Sequence, residues 1–406
     1  MYENVAVLAL FAFLYSIVAR GMERTPVNGA LVFTVFGLLA GPVFLGFLDI
    51  SVSQEGLRYV ADFTLALVLF IDAANANLRV LKSESRIPRR MLLIGLPLVI
   101  GFGVLAGALV FDGLGIYELA ILATMLAATD AALGKAVVAN KAVPARIREG
   151  LNAESGLNDG LCVPILFTFL ALATGAQIEG GNITLAVTLV AREVGIGLLV
   201  GLGLTGLGTY LIKFCWERDW ISKVWLQVTA VALALACFAL AQSLHGSGYI
   251  AAFVGGLLFG SIAKEETHEL VMAGEGAAET FALITWVVFG AAVVGQFYDY
   301  FTWQVVVYSL LSLTVIRMLP MFLALTGTGE SRDGKLFLGW FGPRGLASIV
   351  FLIIVLSEDL PGSGTLAATV VCTVALSVLL HGLTANPLSA WFAKRSNENQ
   401  GDNEPA

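Results

Sequence analysis

The sequence predicts an all-α polytopic membrane protein of about 13 transmembrane helices, N-terminus outside and C-terminus inside. Composition is the first reason: 58% of the residues are hydrophobic and only 13% are charged, far from a soluble globular balance. Apolar runs of about 17 or more residues also recur from end to end, each long enough to cross roughly 30 Å of hydrocarbon. The third reason is the uneven placement of the basic residues.

In chain order the spans read at about 4–20, 27–48, 59–78, 91–111, 116–139, 149–174, 184–212, 220–243, 248–263, 276–297, 301–326, 334–356 and 365–392. Loops following odd-numbered spans hold 19 of the 23 Lys and Arg residues, from Arg20 and Arg24 at one end to Lys394 and Arg395 at the other. Only Arg58 and Arg192 fall on the opposite side, which orients the chain by the positive-inside rule and favours an odd number of spans. Arg317 and Arg344 remain within the membrane. The chain is thus one transmembrane domain over residues 1–392, with a short polar tail, 393–406, expected to be disordered. The N-terminal Met-Tyr-Glu-Asn lacks the basic stretch of a cleaved signal peptide, so the first span is expected to be retained.

Gly37-Leu38-Leu39-Ala40-Gly41 recurs 219 residues later as Gly256-Leu257-Leu258-Phe259-Gly260, and Val68-Leu69-Phe70 as Val287-Val288-Phe289. Spans so related have opposite orientation, so the chain reads as two inverted-topology repeats of six helices, with a site at midplane where interrupted helices meet. Gly342-Pro343-Arg344-Gly345 interrupts the twelfth span. Asp130, in the fifth, falls near it in the repeat register.

The chemistry concentrates in Asn152-Ala153-Glu154-Ser155-Gly156-Leu157-Asn158-Asp159-Gly160, at the start of an apolar run. Carboxylates inside a bilayer cost about 2.5–3.5 kcal/mol each on insertion scales and mark function by default. A buried carboxylate can hold either a proton or a hard cation, and Asp159 is the candidate for that competition. A helix-start carboxylate favoured by the macrodipole is the bland alternative for Asp159. Ser155, four residues back, shares its helix face. Glu154 needs a buried partner, for which Arg317 is the candidate; snorkelling to the inner surface is the rival reading for Arg317. Arg344 places positive charge at a helix break. Asp130 is expected to neutralise the dipole ends of a broken helix, while Thr129 offers hydroxyl and carbonyl oxygens to a cation. Asp62, Asp72 and Glu279 read as structural or gating acids, with ion binding the alternative. The four cysteines, Cys162, Cys215, Cys237 and Cys372, fall singly, and His245, His268 and His381 are scattered. Neither a disulfide framework nor a metal centre is expected.

Ala128-Thr129-Asp130, Val143-Pro144-Ala145-Arg146, Glu154 through Gly160, Gly248-Tyr249-Ile250-Ala251-Ala252-Phe253 and Gly342 through Gly345 together resemble the sodium/proton exchangers of the cation/proton antiporter-1 family, NhaP type. The resemblance covers nearly the whole chain and is most specific at Glu154–Gly160. It implies a prokaryotic inner-membrane homodimer, with spans 1–3 and 7–10 as the dimerisation part and spans 4–6 and 11–13 as a transport core moving as an elevator. By similarity, Asp159, Ser155 and Thr129 hold the alkali cation, Glu154 pairs with Arg317, and Asn158 holds Glu154 or Asp130 in place. The Asn158-Asp159 pair, where electrogenic relatives carry two aspartates, implies electroneutral exchange of Na⁺ (or Li⁺ or K⁺) for H⁺ without a cofactor. Ala131 departs from the proline that many members carry, so the helix break there rests on other residues, with Gly134 a source of flexibility. No nucleic acid and no further protein partner are implied. An intramembrane aspartyl protease built on Asp130 and Asp159 is the alternative from another class, and a channel is a third.

Overall fold

The computed structural model describes residues 2–22, 25, 27, 29–48, 54–75, 86–130, 133, 137–138, 140, 142–177, 183–263, 267–294, 297, 300–358 and 360–401. Among these every long regular element is a helix. They are α1 (Tyr2–Met22), α2 (Gly29–Ala40), α3 (Gln54–Asn75), α4 (Arg86–Val110, with a π-helical turn at Met91–Gly95), α5 (Ile116–Met125), α6 (Ala145–Gln177) and α7 (Ile183–Trp216). There follow α8 (Lys223–Ser243), α9 (Gly248–Ala263), α10 (Thr267–Val288, continued as a π-helix over Phe289–Val294) and α11 (Trp303–Ala324, hinged at Thr314). The last two are α12, in two halves (Arg332–Trp340 and Leu346–Leu356), and α13 (Ser363–Gly401).

Five of the described helices, at Arg86–Val110, Ala145–Gly175, Val190–Trp216, Trp303–Ala324 and Ser363–Arg395, are long and apolar enough to cross a bilayer on their own. Their outward faces carry large apolar side chains, such as Leu109 and Leu199 at 80% and 74% exposure, which water would not tolerate in such number. The interior instead holds Arg317, Glu154, Asp159 and Arg344. Charge inside and hydrocarbon outside is the pattern of a chain solvated by lipid.

The helices sort into two bundles. In one, α2, α3 and α7–α10 pack on one another; in the other, α4–α6 pack with α11–α13. The seam between them runs along α6, which meets α3, α7 and α9, and along the second half of α12, which meets α3. Helix α1 reaches the first bundle through Phe11, which stacks on Phe36 at 3.6 Å and meets Phe33 edge-on at 5.0 Å.

The glycine repeat has a packing cause. A Cβ at Gly37 of α2, or at Gly41 just past its end, would meet the Val287 carbonyl or Ala291 of α10. A Cβ at Gly256 or Gly260 of α9 would meet the Phe70 or Ala74 carbonyl of α3. The two copies of the motif thus make the same close crossing, each against a helix of the other half.

The tail expected to be disordered from residue 393 instead prolongs α13 to Gly401. A long helix already formed extends without a nucleation cost. In addition, Arg395 Nε closes on Asp333 Oδ2 at 2.7 Å, in the first turn of α12. Ala131, Gly134 and residues 402–406 lie outside the described residues.

Gly256→Ala is expected to destabilise the protein by about 1–3 kcal/mol, because α9 must move off the α3 backbone. Gly203→Ala, whose Cβ meets nothing within 4 Å, is expected to leave stability unchanged or slightly raised. Thermal melting of the two purified variants beside the parent measures the difference.

Candidate functional site

The end of α5 and the break in α12 meet within the second bundle. Helix α5 ends at Met125, and residues 128–130 are not helical; α12 is open from Phe341 to Gly345. Backbone groups released at such breaks must find partners inside the protein, since lipid offers none. The chain satisfies them across the crossing. The Asp130 amide donates to the Pro343 carbonyl at 2.8 Å. Asp130 Oδ2 accepts from the Leu346 amide at 2.9 Å, capping the second half of α12, while Oδ1 accepts from the Leu133 amide at 3.2 Å. One carboxylate therefore caps the second half of α12 and also takes the Leu133 amide on its own segment. Arg344 does the converse, with Nη1 donating to the carbonyls of Ala127 and Ala128 at 3.0 and 3.3 Å. Ser348 Oγ takes the Met125 carbonyl at 2.7 Å.

Each residue of Gly342-Pro343-Arg344-Gly345 has a task here. A Cβ at Gly342 would fall on the Arg317 guanidinium, and one at Gly345 on the Asp130 carboxylate. Both glycines are thus required by close approach.

Beside the crossing runs α6. It begins at Ala145, so Asp159 lies 14 residues, about four turns, inside it. The macrodipole acts only over the first turn, which removes the helix-start explanation for this carboxylate. Glu154 and Arg317, both fully buried, form a two-pronged pair with Nη1–Oε1 at 2.8 Å and Nη2–Oε2 at 3.0 Å. Arg317 therefore does not snorkel. The Asn158 amide donates to Glu154 Oε1 at 3.1 Å and to Thr129 Oγ1, and its oxygen accepts the Thr129 amide at 3.3 Å. Of the two acids open to Asn158, it is Glu154 that its side chain holds. Thr129 Oγ1 lies 3.2 Å from Ser155 Oγ and 3.4 Å from Glu154 Oε2.

Asp159 differs from its neighbours. It is buried, and its Oδ1 has no hydrogen-bond partner among the described residues. Asp130, Asp72 and Glu154 are near enough to act on it electrostatically. Asp72 approaches from α3, where a Cβ on Gly156 would lie 3.4 Å from its carbonyl oxygen. Gly160, next to Asp159, leaves room for the ring of Phe253 on α9. Proline at 164 removes the helical donor for the Gly160 carbonyl. The site thus sits on the seam between the bundles.

The remaining acids lie elsewhere. Asp62 accepts from the Tyr249 hydroxyl at 2.6 Å and lies 3.9 Å from Arg58. Arg58 also reaches Ser357, at the end of α12, at 3.1 Å. Glu275 and Glu279 are exposed near Asp72, with Glu275 accepting from Asn75 at 2.7 Å. Ser348 escaped the sequence reading because a serine in an apolar helix ordinarily bonds its own preceding turn. Asp72 had a signal, an acid inside an apolar span, but nothing in the sequence directed it towards Gly156.

Glu154→Ala is expected to destabilise the protein by about 3–5 kcal/mol, because Arg317 would be left buried and unpaired. Thermal melting checks this, and a variant as stable as the parent contradicts the pairing.

Residues 8–391 match the family described as "Sodium/hydrogen exchanger, transmembrane". The K(+)/H(+) antiporter NhaP of Alkalimonas amylolytica is 24% identical over 399 residues, covering 96% of this chain and 67% of that protein. A Na(+)/H(+) antiporter of Schizosaccharomyces pombe is 22% identical over 310 residues, covering 68% of this chain and 65% of the relative. The chain thus spans about two thirds of the length of these relatives. Among solved structures, the sodium proton antiporter MjNhaP1 of Methanocaldococcus jannaschii superposes with a TM-score of 0.77 at 22% identity, over 93% of this chain and 98% of that one. The fold is shared at that distance, and with nearly all of its length inside the family match, the chain belongs to the sodium/hydrogen exchanger family.

Proposed function

We propose that the protein exchanges an alkali cation for a proton across a membrane, with Asp159 as the single group for which the two ions compete. The observation that carries this reading is the uneven satisfaction of the buried acids. Glu154 is committed to Arg317 and Asn158, and Asp130 to two backbone amides, whereas Asp159 keeps an unpartnered oxygen. An orphaned buried acceptor is costly, and either a proton or a bound cation relieves it. Ser155 and Thr129 supply the hydroxyls, and Thr129 a carbonyl, that complete an oxygen shell for a hard cation.

Asn158 is uncharged, so one carboxylate serves each cycle, and the exchange is electroneutral and one-for-one. The two bundles provide the moving parts. The bundle of α4–α6 and α11–α13, held together at the crossing, carries the site as an elevator against α1–α3 and α7–α10. Small residues at the seam, Gly156 and Gly160, favour sliding contact. The second set of helices forms the homodimer contact. The distribution of basic residues supports an N-terminus outside and a C-terminus inside, with 13 spans in two inverted repeats, and the bacterial relatives support a prokaryotic plasma membrane. The cargo is Na⁺, with Li⁺ and K⁺ the competing candidates; the relatives named above are Na(+)/H(+) and K(+)/H(+) antiporters.

The protease alternative finds no support, because its dyad needs two carboxylates free to share a proton and a water. Both oxygens of Asp130 are occupied by amides.

In proteoliposomes acidified inside, addition of NaCl, LiCl or KCl is expected to dequench an entrapped pH dye with the parent protein. With Asp159→Asn the response is expected to vanish while the protein stays folded. Retained cation-driven proton movement in that variant would move the carrier role to another group.

A further inference from the structure

In a continuous helix the Trp340 carbonyl would accept from the Arg344 amide, four residues on. The break in α12 opens that bond. The Arg344 amide donates instead to Ser377 Oγ at 2.6 Å, while the Trp340 carbonyl accepts the Gly342 amide at 2.8 Å and also lies 2.9 Å from His381 Nε2. Ser377 and His381 face each other one turn apart on α13, with Oγ 3.2 Å from Nδ1. The two ends of the missing bond are therefore joined through two side chains of another helix.

We propose that Ser377 and His381 form a positioning relay that sets the width of the α12 break and, through Arg344, the placement of Thr129 in the cation site. The Trp340 carbonyl can only accept, so Nε2 carries a proton and donates to it. Nδ1 lies 3.2 Å from Ser377 Oγ and 3.1 Å from the Ser377 carbonyl. In the relay Nδ1 accepts from the Ser377 hydroxyl, whose oxygen accepts the Arg344 amide. Trp340 is held a second time through its Nε1–H, which donates to Thr384 Oγ1 on α13 at 3.1 Å. Ser377 and His381 are 0% and 1% exposed, so water does not stand in for either.

The consequence for the site runs along one side chain. The Arg344 backbone is fixed by Ser377, and its guanidinium holds the carbonyls of Ala127 and Ala128. Those are the two residues before Thr129, whose oxygens are assigned to the cation above. Nε and Nη2 of Arg344 have no partner among the described residues, so the backbone anchor does much to define where Nη1 points. Neither Ser377 nor His381 needs to touch the ion.

This inference rests on the transport reading, and one experiment separates the two. Exchange is measured in proteoliposomes at a series of NaCl and, separately, KCl concentrations for parent, Ser377→Ala, Ser377→Thr, His381→Ala and His381→Gln. Loss of one net hydrogen bond predicts a rise in KM of about two- to tenfold in Ser377→Ala and His381→Ala, with kcat falling by a smaller factor. Ser377→Thr keeps the hydroxyl that receives the Arg344 amide, and His381→Gln keeps a donor for the Trp340 carbonyl, so both return KM towards the parental value. Should one alanine variant fail to fold, the other carries the test. Parental KM in a folded alanine variant, even one with a lowered melting temperature, overturns the relay. A parent that exchanges no alkali cation overturns the transport reading and the relay with it.

Discussion

Backbone amides and carbonyls released in the middle of a bilayer have no water to turn to, and each one left unpaired costs several kcal/mol. The end of α5 and the break in α12 meet inside this protein, and the arrangement around them follows from that cost. Asp130 receives the amides of Leu133 and Leu346, Arg344 takes the carbonyls of Ala127 and Ala128, and the Asp130 amide meets the Pro343 carbonyl. The side chains that repair the backbone are themselves charged and of opposite sign, so the repair is also electrostatically balanced. With these bonds made, an irregular backbone persists where lipid would otherwise forbid it.

Satisfying the backbone divides the labour among the acids. Glu154 is joined to Arg317 by two bonds and steadied by Asn158, which makes it an anchor between α6 and α11. Removing one member of such a pair is far costlier than the pair's net worth, which argues for a structural duty. Asp130 is spent on the crossing. Asp159, unlike Glu154 and Asp130, retains an oxygen without a hydrogen-bond partner among the described residues, on the helix that borders the other bundle. What its neighbours are already doing is the support for proposing Asp159 as the group that exchanges its ion.

Much of this was legible in the chain, for reasons that differ by element. Apolar runs and basic loops report on the bilayer directly, which is why the all-helical membrane fold could be read. The break in α12 carried a Gly-Pro-Arg-Gly signature. Glu154 and Arg317 could be matched because a buried charge demands a partner. The break after Met125 was harder: Leu126-Ala127-Ala128 contains no helix breaker, and it opens because Arg344 and Ser348, more than 200 residues away, take its carbonyls. Ser377 and His381 gave no warning, since short polar residues in apolar helices usually satisfy themselves. The tail beyond residue 393 misled because its polarity suggested disorder, whereas a preformed helix and the Arg395–Asp333 pair carry it onward.

The central claim is that one carboxylate binds either a cation or a proton. Its most direct test is the affinity of the purified protein for Na⁺, measured by isotope binding over a pH series. Competition at Asp159 predicts that the apparent Kd weakens by up to about tenfold for each unit that pH falls, approaching one proton released per Na⁺ bound. A Na⁺ affinity that does not change with pH, with no proton released on binding, would contradict the account.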